Sequence, residues 1–379
     1  MKRIALSDID FTEEETKRVV EVLKSKWISM GRVTYEFERK FAEYIGVKHA
    51  VAVSNGTAAL HIATLALGIK PNDEVIVPSL TFVATSNAVL YSGAKPIFAD
   101  VQSKDNFNIS LDDIKEKISK KTKGIIVMHY GGYPCDMKGI MQIAHEHGLF
   151  VIEDAAHAPG AQLSEKMLGS IGDIGCFSFF SNKNLVTGEG GMITTNSDKL
   201  AEEIKRRRSH GMTTLSWDRF RGRAFSYDVT ALGYNYRTSD INSALGLCQL
   251  KKLHHNNKIR KGLADLYRKY LENAWFLKIP FRKFAGLSSN HIFPILLDKK
   301  VDRAKLMEFL KKRGIQTSVH YPPIHLFSYY RNNFGFRKGL LPITEYIGEK
   351  EVTLPLHPLL REDDIRYITS QILKFGKTI

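Results

Sequence analysis

Apolar positions change their period near residue 50. Ahead of that point Thr12-Glu13-Glu14-Glu15 has the spacing of a capping box, and the run behind it sets Val19, Val20 and Leu23 on one helical face. From Val51 onward, short apolar runs alternate with helical ones. VAVS (51–54), EVIVP (74–78), PIFADV (96–101), GIIVMHY (124–130) and LFVIED (149–154) are predicted strands. Between them the spacing predicts helices over 57–67, 81–91 and 136–147, stopped by Gly68, Gly93 and Gly148. Largely apolar strands separated by helices form a parallel sheet covered on both faces. Ligands of such sheets collect beyond the carboxyl ends of the strands. The loops there carry Ser54-Asn55-Gly56-Thr57, Ser79-Leu80-Thr81-Phe82 and Asp154-Ala155-Ala156-His157.

The pattern shifts again after residue 200. Residues 204–224 are rich in arginine, with Arg206-Arg207-Arg208 and then Trp217-Asp218-Arg219, and suggest an exposed helix end and a long loop. A long helix is predicted over 239–271. Beyond it, HIFPILL (291–297), a helix over 302–313 stopped by Gly314, and further short strands indicate a separate α+β unit. The expected class is therefore α/β, with a large unit over residues 1–254 and a smaller C-terminal one over 255–379.

Composition narrows the field. With 379 residues, 43% hydrophobic and 25% charged, the chain can build a large core, which excludes a wholly disordered or collagen-like protein. Lys+Arg 55 against Asp+Glu 40 leaves +15, a surplus that suits nucleic acid, a membrane surface or phosphorylated small molecules without choosing among them. Cys135, Cys176 and Cys248 are too few for a disulfide framework and fit reduced thiols in a cytoplasmic protein. The first residues are charged, with no long apolar run, so neither a leader nor a membrane span is expected. His145 and His147 point apart on a helix, so no metal site is expected there, and no phosphate loop of the G-x-x-x-x-G-K-[ST] type occurs.

Three features carry chemistry. Lys183 lies between two β-type runs, ahead of Gly188-Glu189-Gly190-Gly191; a lysine amine attacks an aldehyde only where its neutral form is favoured, and otherwise such a lysine is a solvated charge. Asp154 ends an apolar strand, where its carboxylate can hold a pyridine nitrogen cationic or merely cap the next helix. Asn55-Gly56-Thr57 opens a helix after a strand, a place that suits a phosphate or a plain turn. A strand-end Asp, a Gly-flanked Lys and a phosphate-type helix start in one β-α unit together point to pyridoxal 5'-phosphate.

The segments SNGTAAL (54–60), PSLTFVATSNAV (78–89), VIEDAAHAPGA (151–161), FSFFSNKNLVTGEGG (177–191), LGYNYRTSDINSALGLCQL (232–250) and HYPPIH (320–325) resemble, in this order and spacing, the DegT/DnrJ/EryC1/StrS sugar aminotransferases. The resemblance implies the aspartate-aminotransferase fold (fold type I) with a mostly parallel central sheet. It implies a Schiff base on Lys183, Asp154 at the pyridine nitrogen, and Gly56, Thr57 and Ser178 at the phosphate. Phe82 would stack on the ring and His157 would lie beside it. Asn235 would reach the cofactor phosphate of the neighbouring subunit, giving a homodimer with shared active sites. His320 and Tyr321 would face the sugar. The implied reaction moves an amino group from L-glutamate, leaving 2-oxoglutarate, to a keto sugar on a nucleotide diphosphate, with a 4-keto-6-deoxyhexose favoured over a 3-keto one. The Arg-rich stretch 206–223 offers fork-shaped donors for that diphosphate, or is a solvated helix end. Members with His in place of the lysine act as sugar dehydratases, which Lys183 argues against. A nucleic-acid-binding regulator on the same fold, and a pyridoxal enzyme of another reaction type, remain the alternatives.

Overall fold

The computed structural model describes residues 3–214, 217, 220–222 and 225–379. Two helices come first, α1 (Glu13–Lys24) and α2 (Arg32–Ile45). The capping box forms: Glu15 Oε2 accepts the Thr12 N–H at 2.8 Å, and Thr12 Oγ1 accepts that of Glu14 at 3.4 Å. The buried face of α1 differs from the expectation. Val22 and Glu15 are buried, whereas Val20 and Leu23 are 39% and 51% exposed. The reason is polar. Burial works against the Glu15 charge, yet Lys252 at 2.7 Å, Thr12 and Gln249 hold its carboxyl at about 2, so this side of the helix turns inward.

The β-α alternation follows as β1 (His49–Val53), α3 (Gly56–Ala66), β2 (Glu74–Pro78), α4 (Ala84–Tyr91), β3 (Lys95–Ala99), α5 (Leu111–Lys117), β4 (Thr122–Met128), α6 (Met137–His147) and β5 (Phe150–Asp154). A small hairpin of β6 (Gln162–Leu163) and β7 (Lys166–Met167) leads to β8 (Ile174–Ser178) and β9 (Gly191–Thr195). The central sheet has the order β1-β9-β8-β5-β4-β2-β3. Only β9 runs against its neighbours, so the carboxyl ends of β1, β2, β4, β5 and β8 share one edge. Apolar side chains fill both faces. Val51, Val53, Val75, Val77 and Ile152 pack against α3 and α4 on one side, while Ile76, Ile125, Val127 and Val151 pack against α6 on the other.

After α7 (Asp198–Arg208) the chain crosses to the long helix α8 (Asp240–Tyr270), capped by Ser239. The Asp240 carboxylate accepts the N–H groups of Gly31 at 2.8 Å and Thr34 at 2.9 Å, which joins the starts of α2 and α8. A second, antiparallel sheet of β10 (Leu277–Lys278), β11 (Phe293–Leu297) and β12 (Glu351–Leu354) follows. The helices α9 (Arg303–Lys311), α10 (Ser328–Phe334), α11 (Pro342–Lys350) and α12 (Glu362–Gly376) complete this α+β part. Its core joins Leu263 and Tyr267 of α8 to Ile295, Leu306, Val352 and Ile368. The chain's beginning belongs there too: Ile4 is buried in that core, and its N–H donates to the Gly314 carbonyl at 2.8 Å.

Candidate active site

The shared carboxyl edge of the sheet opens on a cavity of about 890 Å³. Gly56, Thr57, Phe82, Asp154, His157, Ser178 and Lys183 all line it, as do His320 and Tyr321 from beyond the second sheet's first strands. Of the expected residues only Asn235 does not; it is exposed and pairs its backbone with Ser209.

Each side chain is placed by its element. Asp154 is the last residue of β5, in register with Cys176 of the parallel neighbour β8. It is almost fully buried, and burial pushes its carboxyl up. The Thr85 hydroxyl donates to Oδ2 at 2.7 Å and the Ala156 N–H to Oδ1 at 3.2 Å, and both favour the ionised form, as does the charge of Lys183. Thr85 is itself held by Thr81 at 2.9 Å. Among the described residues Asp154 forms no salt bridge. It is a buried carboxylate without a paired cation.

Lys183 sits on the tight connection between β8 and β9. The Phe179 and Thr187 backbones close that connection through 2.9 and 2.8 Å bonds, and Gly188, at φ +83°, makes the turn that a side chain would strain. Burial brings the Lys183 amine down to about 8, with Asp154 pulling it the other way. About a tenth of the amine is therefore neutral at pH 7, far more than for an ordinary lysine. Its neighbour Asn184 anchors the loop: its amide donates to Asn257 and to the Ser289 carbonyl at 2.8 Å each, and its oxygen meets His291 Nδ1 at 2.9 Å.

A cradle lies at the start of α3. Asn55 caps the helix by accepting the Ala58 N–H at 2.8 Å, while the Gly56 and Thr57 N–H groups belong to a first turn without intrahelical partners. A Cβ at Gly56 would come 2.8 Å from that of Ser178, so the glycine keeps the cradle open.

The remaining wall is aromatic and polar. His157 Nδ1 accepts the Gly131 N–H at 3.3 Å, and burial holds the ring neutral, so the proton sits on Nε2 and is donated to the Tyr321 oxygen 2.9 Å away. The Tyr321 hydroxyl proton is left for the cavity. Phe82 is 58% exposed, its ring 6.2 Å from that of Tyr321. His320 is kept neutral by burial and by Lys183, which bring it down to about 4. The second histidine of HYPPIH does something else. His325 is buried between Ser79 Oγ at 2.7 Å and Glu345 at 3.1 Å. That order resembles a nucleophilic triad, but Ser79 is fully buried, and the contact ties the end of β2 to the 324–326 turn and to α11.

Arg206, Arg207, Arg208 and Arg221, the described arginines of the stretch, do not line the cavity. Arg208 is buried on Glu38 at 2.6 Å and Arg207 pairs with Glu203 at 2.7 Å. Asp218, Arg219 and Arg223 lie outside the described residues. Thr85 and Tyr236 were not singled out from the sequence, although Thr85 lies in the first turn of α4, just behind the Ser79-Leu80-Thr81-Phe82 loop.

A carboxylate lacking a cation, an amine of lowered basicity and a helix-start cradle in one cavity fit pyridoxal phosphate. Comparison with known proteins agrees. The model of the DegT/DnrJ/EryC1/StrS aminotransferase family matches residues 10–373. The GDP-perosamine synthase of Escherichia coli O157:H7 is 37% identical over 376 residues, covering 99% of each chain. The aminotransferase PseC of Helicobacter pylori, involved in pseudoaminic acid biosynthesis, superposes with a TM-score of 0.93 at 32% identity, covering 100% of both chains. A protein named as a sugar aminotransferase from Streptococcus pneumoniae, solved in its PLP form, gives 0.93 at 29% identity, covering 100% of this chain and 99% of the other. The chain belongs to the DegT/DnrJ/EryC1/StrS aminotransferase family, with the fold type I architecture, and is a pyridoxal-phosphate-dependent aminotransferase.

Proposed function

We propose that the enzyme transfers an amino group from L-glutamate to a keto sugar carried on a nucleotide diphosphate, a 4-keto-6-deoxyhexose before a 3-keto one, in the making of deoxyamino sugars. The observation that carries this reading is the pair formed by Asp154, buried without a counter-ion, and Lys183, whose amine burial brings to about 8, on the walls of one cavity. Similarity to a GDP-perosamine synthase along 99% of both chains supports the nucleotide-linked acceptor.

When bound, pyridoxal phosphate supplies an aldehyde that accepts an amino group and a cationic ring that withdraws the electrons freed when a C–H proton leaves. Asp154 would face the ring nitrogen, and Thr85 fixes the direction of its carboxylate. Gly56, Thr57 and Ser178 would hold the phosphate. Phe82 would cover one face of the ring, with His157 beside it. The Lys183 amine takes the proton from the donor carbon and returns it one position over, which its lowered basicity suits. His320 and Tyr321 would bind the sugar.

Asn235 would complete the cavity of a second copy. Its exposure, and the exposed Phe225, Val229 and Leu232 on the same segment, support a homodimer interface there. Mixing Lys183→Ala and Asn235→Ala chains under conditions that exchange subunits should restore activity lost by each alone; no recovery would place both residues in one subunit's site. The free, buried Cys135, Cys176 and Cys248 suit the cytoplasm, and no helix among the described residues is long and apolar enough to cross a membrane. The smaller unit would begin within α8, near residue 255.

The test is direct. Holoenzyme with L-glutamate and a keto-sugar nucleotide should yield one 2-oxoglutarate per amino-sugar nucleotide formed. Release of carbon dioxide, or dehydration of the sugar without 2-oxoglutarate, overturns the assignment.

A further inference from the structure

Behind His320 runs a hydrogen-bonded chain that ends in a carboxyl group. His320 Nδ1 lies 2.8 Å from Thr353 Oγ1, which lies 2.5 Å from Glu351 Oε1, while Glu351 Oε2 accepts the His320 N–H at 2.8 Å. Thr353 and Glu351, both on β12, are fully buried. With Nδ1 engaged, Nε2 is the ring nitrogen left for the cavity that His320 lines.

The Thr353 hydroxyl has a single proton and two neighbours that can each accept it. If Glu351 is ionised, the hydroxyl donates to the carboxylate and must accept from Nδ1–H, so Nε2 offers a lone pair. If Glu351 is protonated, its O–H donates to Thr353, the hydroxyl donates to Nδ1, and Nε2 carries the hydrogen. Passing from the first state to the second adds one proton to Glu351 and moves the ring proton from Nδ1 to Nε2. The imidazole is neutral in both.

We propose that Glu351 and Thr353 are positioning residues that set which nitrogen of His320 carries its proton, and so whether His320 meets the amino acceptor as a hydrogen-bond donor or acceptor. The substrate half of this rests on the reading of His320 as a sugar contact. The surroundings allow both states. Burial pushes the Glu351 carboxyl up to about 8, against the pull of Thr353, the His320 N–H and Arg303 of α9. The Arg303 guanidinium is bonded to the Gly348 and Glu351 carbonyls and not to the carboxylate. On the other side Tyr130 donates to the His320 carbonyl, Tyr321 adjoins the ring, and the Lys183 charge disfavours a protonated imidazole. The exchange therefore falls near pH 8, with the donor form below it.

The experiment uses holoenzyme labelled with 15N-histidine, with His320→Gln assigning the His320 ring signals. From pH 6 to 9.5 the His320 proton should shift from Nε2 to Nδ1, with a midpoint near 8. In Glu351→Gln the amide oxygen is held by the His320 N–H, which turns the NH2 toward Thr353 as a donor and should hold the proton on Nε2 throughout. Thr353→Ser should keep the pH response and Thr353→Val should abolish it, a pair that decides the matter even if the Glu351 variant folds poorly. The KM for the keto-sugar nucleotide should change several-fold between pH 7 and 9 in the wild type and stay flat in Glu351→Gln, with kcat changing less. A His320 tautomer that ignores pH, or one that still responds in Glu351→Gln, overturns the proposal. If His320→Gln leaves KM unaltered while the tautomer shift persists in the wild type, the sugar-contact reading fails and the proton placement stands.

Discussion

The two ends of the cavity are built on different principles. At the end lined by Asp154, Ser178, Lys183 and the start of α3, every side chain sits at or within a few residues of the carboxyl end of a strand in one sheet. Adjacent strands fix its place; the bonds that support Asp154 and the start of α3 are local or run to the neighbouring helix α4, and the Lys183 loop is further anchored through Asn184 to Asn257, Ser289 and His291. At the His320 and Tyr321 end, the side chains sit on irregular backbone and are aimed by partners far away in the chain: Thr353 and Glu351 for one, His157 for the other. The first end is rigid by architecture, the second by a polar network. A site that must hold one cofactor in one pose gains from the first. A site that must adapt to developing charge on a sugar gains from the second, because a network has more than one proton arrangement.

The largest effect should come from the rigid end. Lys183→Ala removes the amine proposed to move the substrate proton. Amino transfer should fall by about a thousandfold or more, in line with the roughly 100- to 10,000-fold typical of a positioned acid–base group, while circular dichroism and melting temperature stay near wild type. A variant that still transaminates at the normal rate would falsify the mechanism. Asp154→Asn comes next. It keeps the shape and the Thr85 bond but loses the charge proposed to face the ring. The cofactor should stay bound while kcat drops about a hundredfold, the scale of losing one preorganised electrostatic partner. An unchanged kcat would separate Asp154 from the chemistry.

The same contrast decides what was legible in the sequence. Asp154, Gly56 and Thr57 stood out because patterning locates strand ends and strand ends locate ligands, whereas Ser178 and the Schiff-base role of Lys183 entered only through the family resemblance. The strand EVIVP (74–78) forms as spaced, and the long helix is within a residue of its expected ends. The inward face of α1 was misjudged because apolar spacing is blind to a carboxylate such as Glu15, held inside by Lys252 and Gln249 over two hundred residues away. For the same reason Glu351 and Thr353 left no signal. Alone, they read as ordinary residues of a strand, and their significance is a pairing with position 320 that only the folded chain makes. The arginine run left two readings open, diphosphate donors or a solvated helix end, and spacing alone could not foresee that Arg208 would pair with Glu38 in the interior.

Gly56→Ala sharpens the comparison from the rigid side. A methyl group there would sit 2.8 Å from Ser178 Cβ, and both belong to backbone fixed by secondary structure, so neither can retreat cheaply. Cofactor affinity, followed by absorbance titration of the apoenzyme, should fall about tenfold, equal to roughly 1.4 kcal/mol. Retention of full affinity would mean that the phosphate is held elsewhere.

The smallest effect should come from the networked end. His157 accepts from the Gly131 N–H and therefore donates to Tyr321, which leaves the phenol with one proton and only the cavity to receive it. Tyr321→Phe removes that donor and leaves the His157 Nε2–H without its acceptor. A neutral hydrogen bond of about 0.5–1.5 kcal/mol corresponds to a two- to about tenfold rise in KM for the keto-sugar nucleotide. The KM for L-glutamate and the spectrum of the bound cofactor should stay as in the wild type, because the Asp154 end is supported independently. If Tyr321→Phe instead weakens cofactor binding as strongly as Gly56→Ala, the two ends are mechanically one, and the polar network is part of the rigid frame.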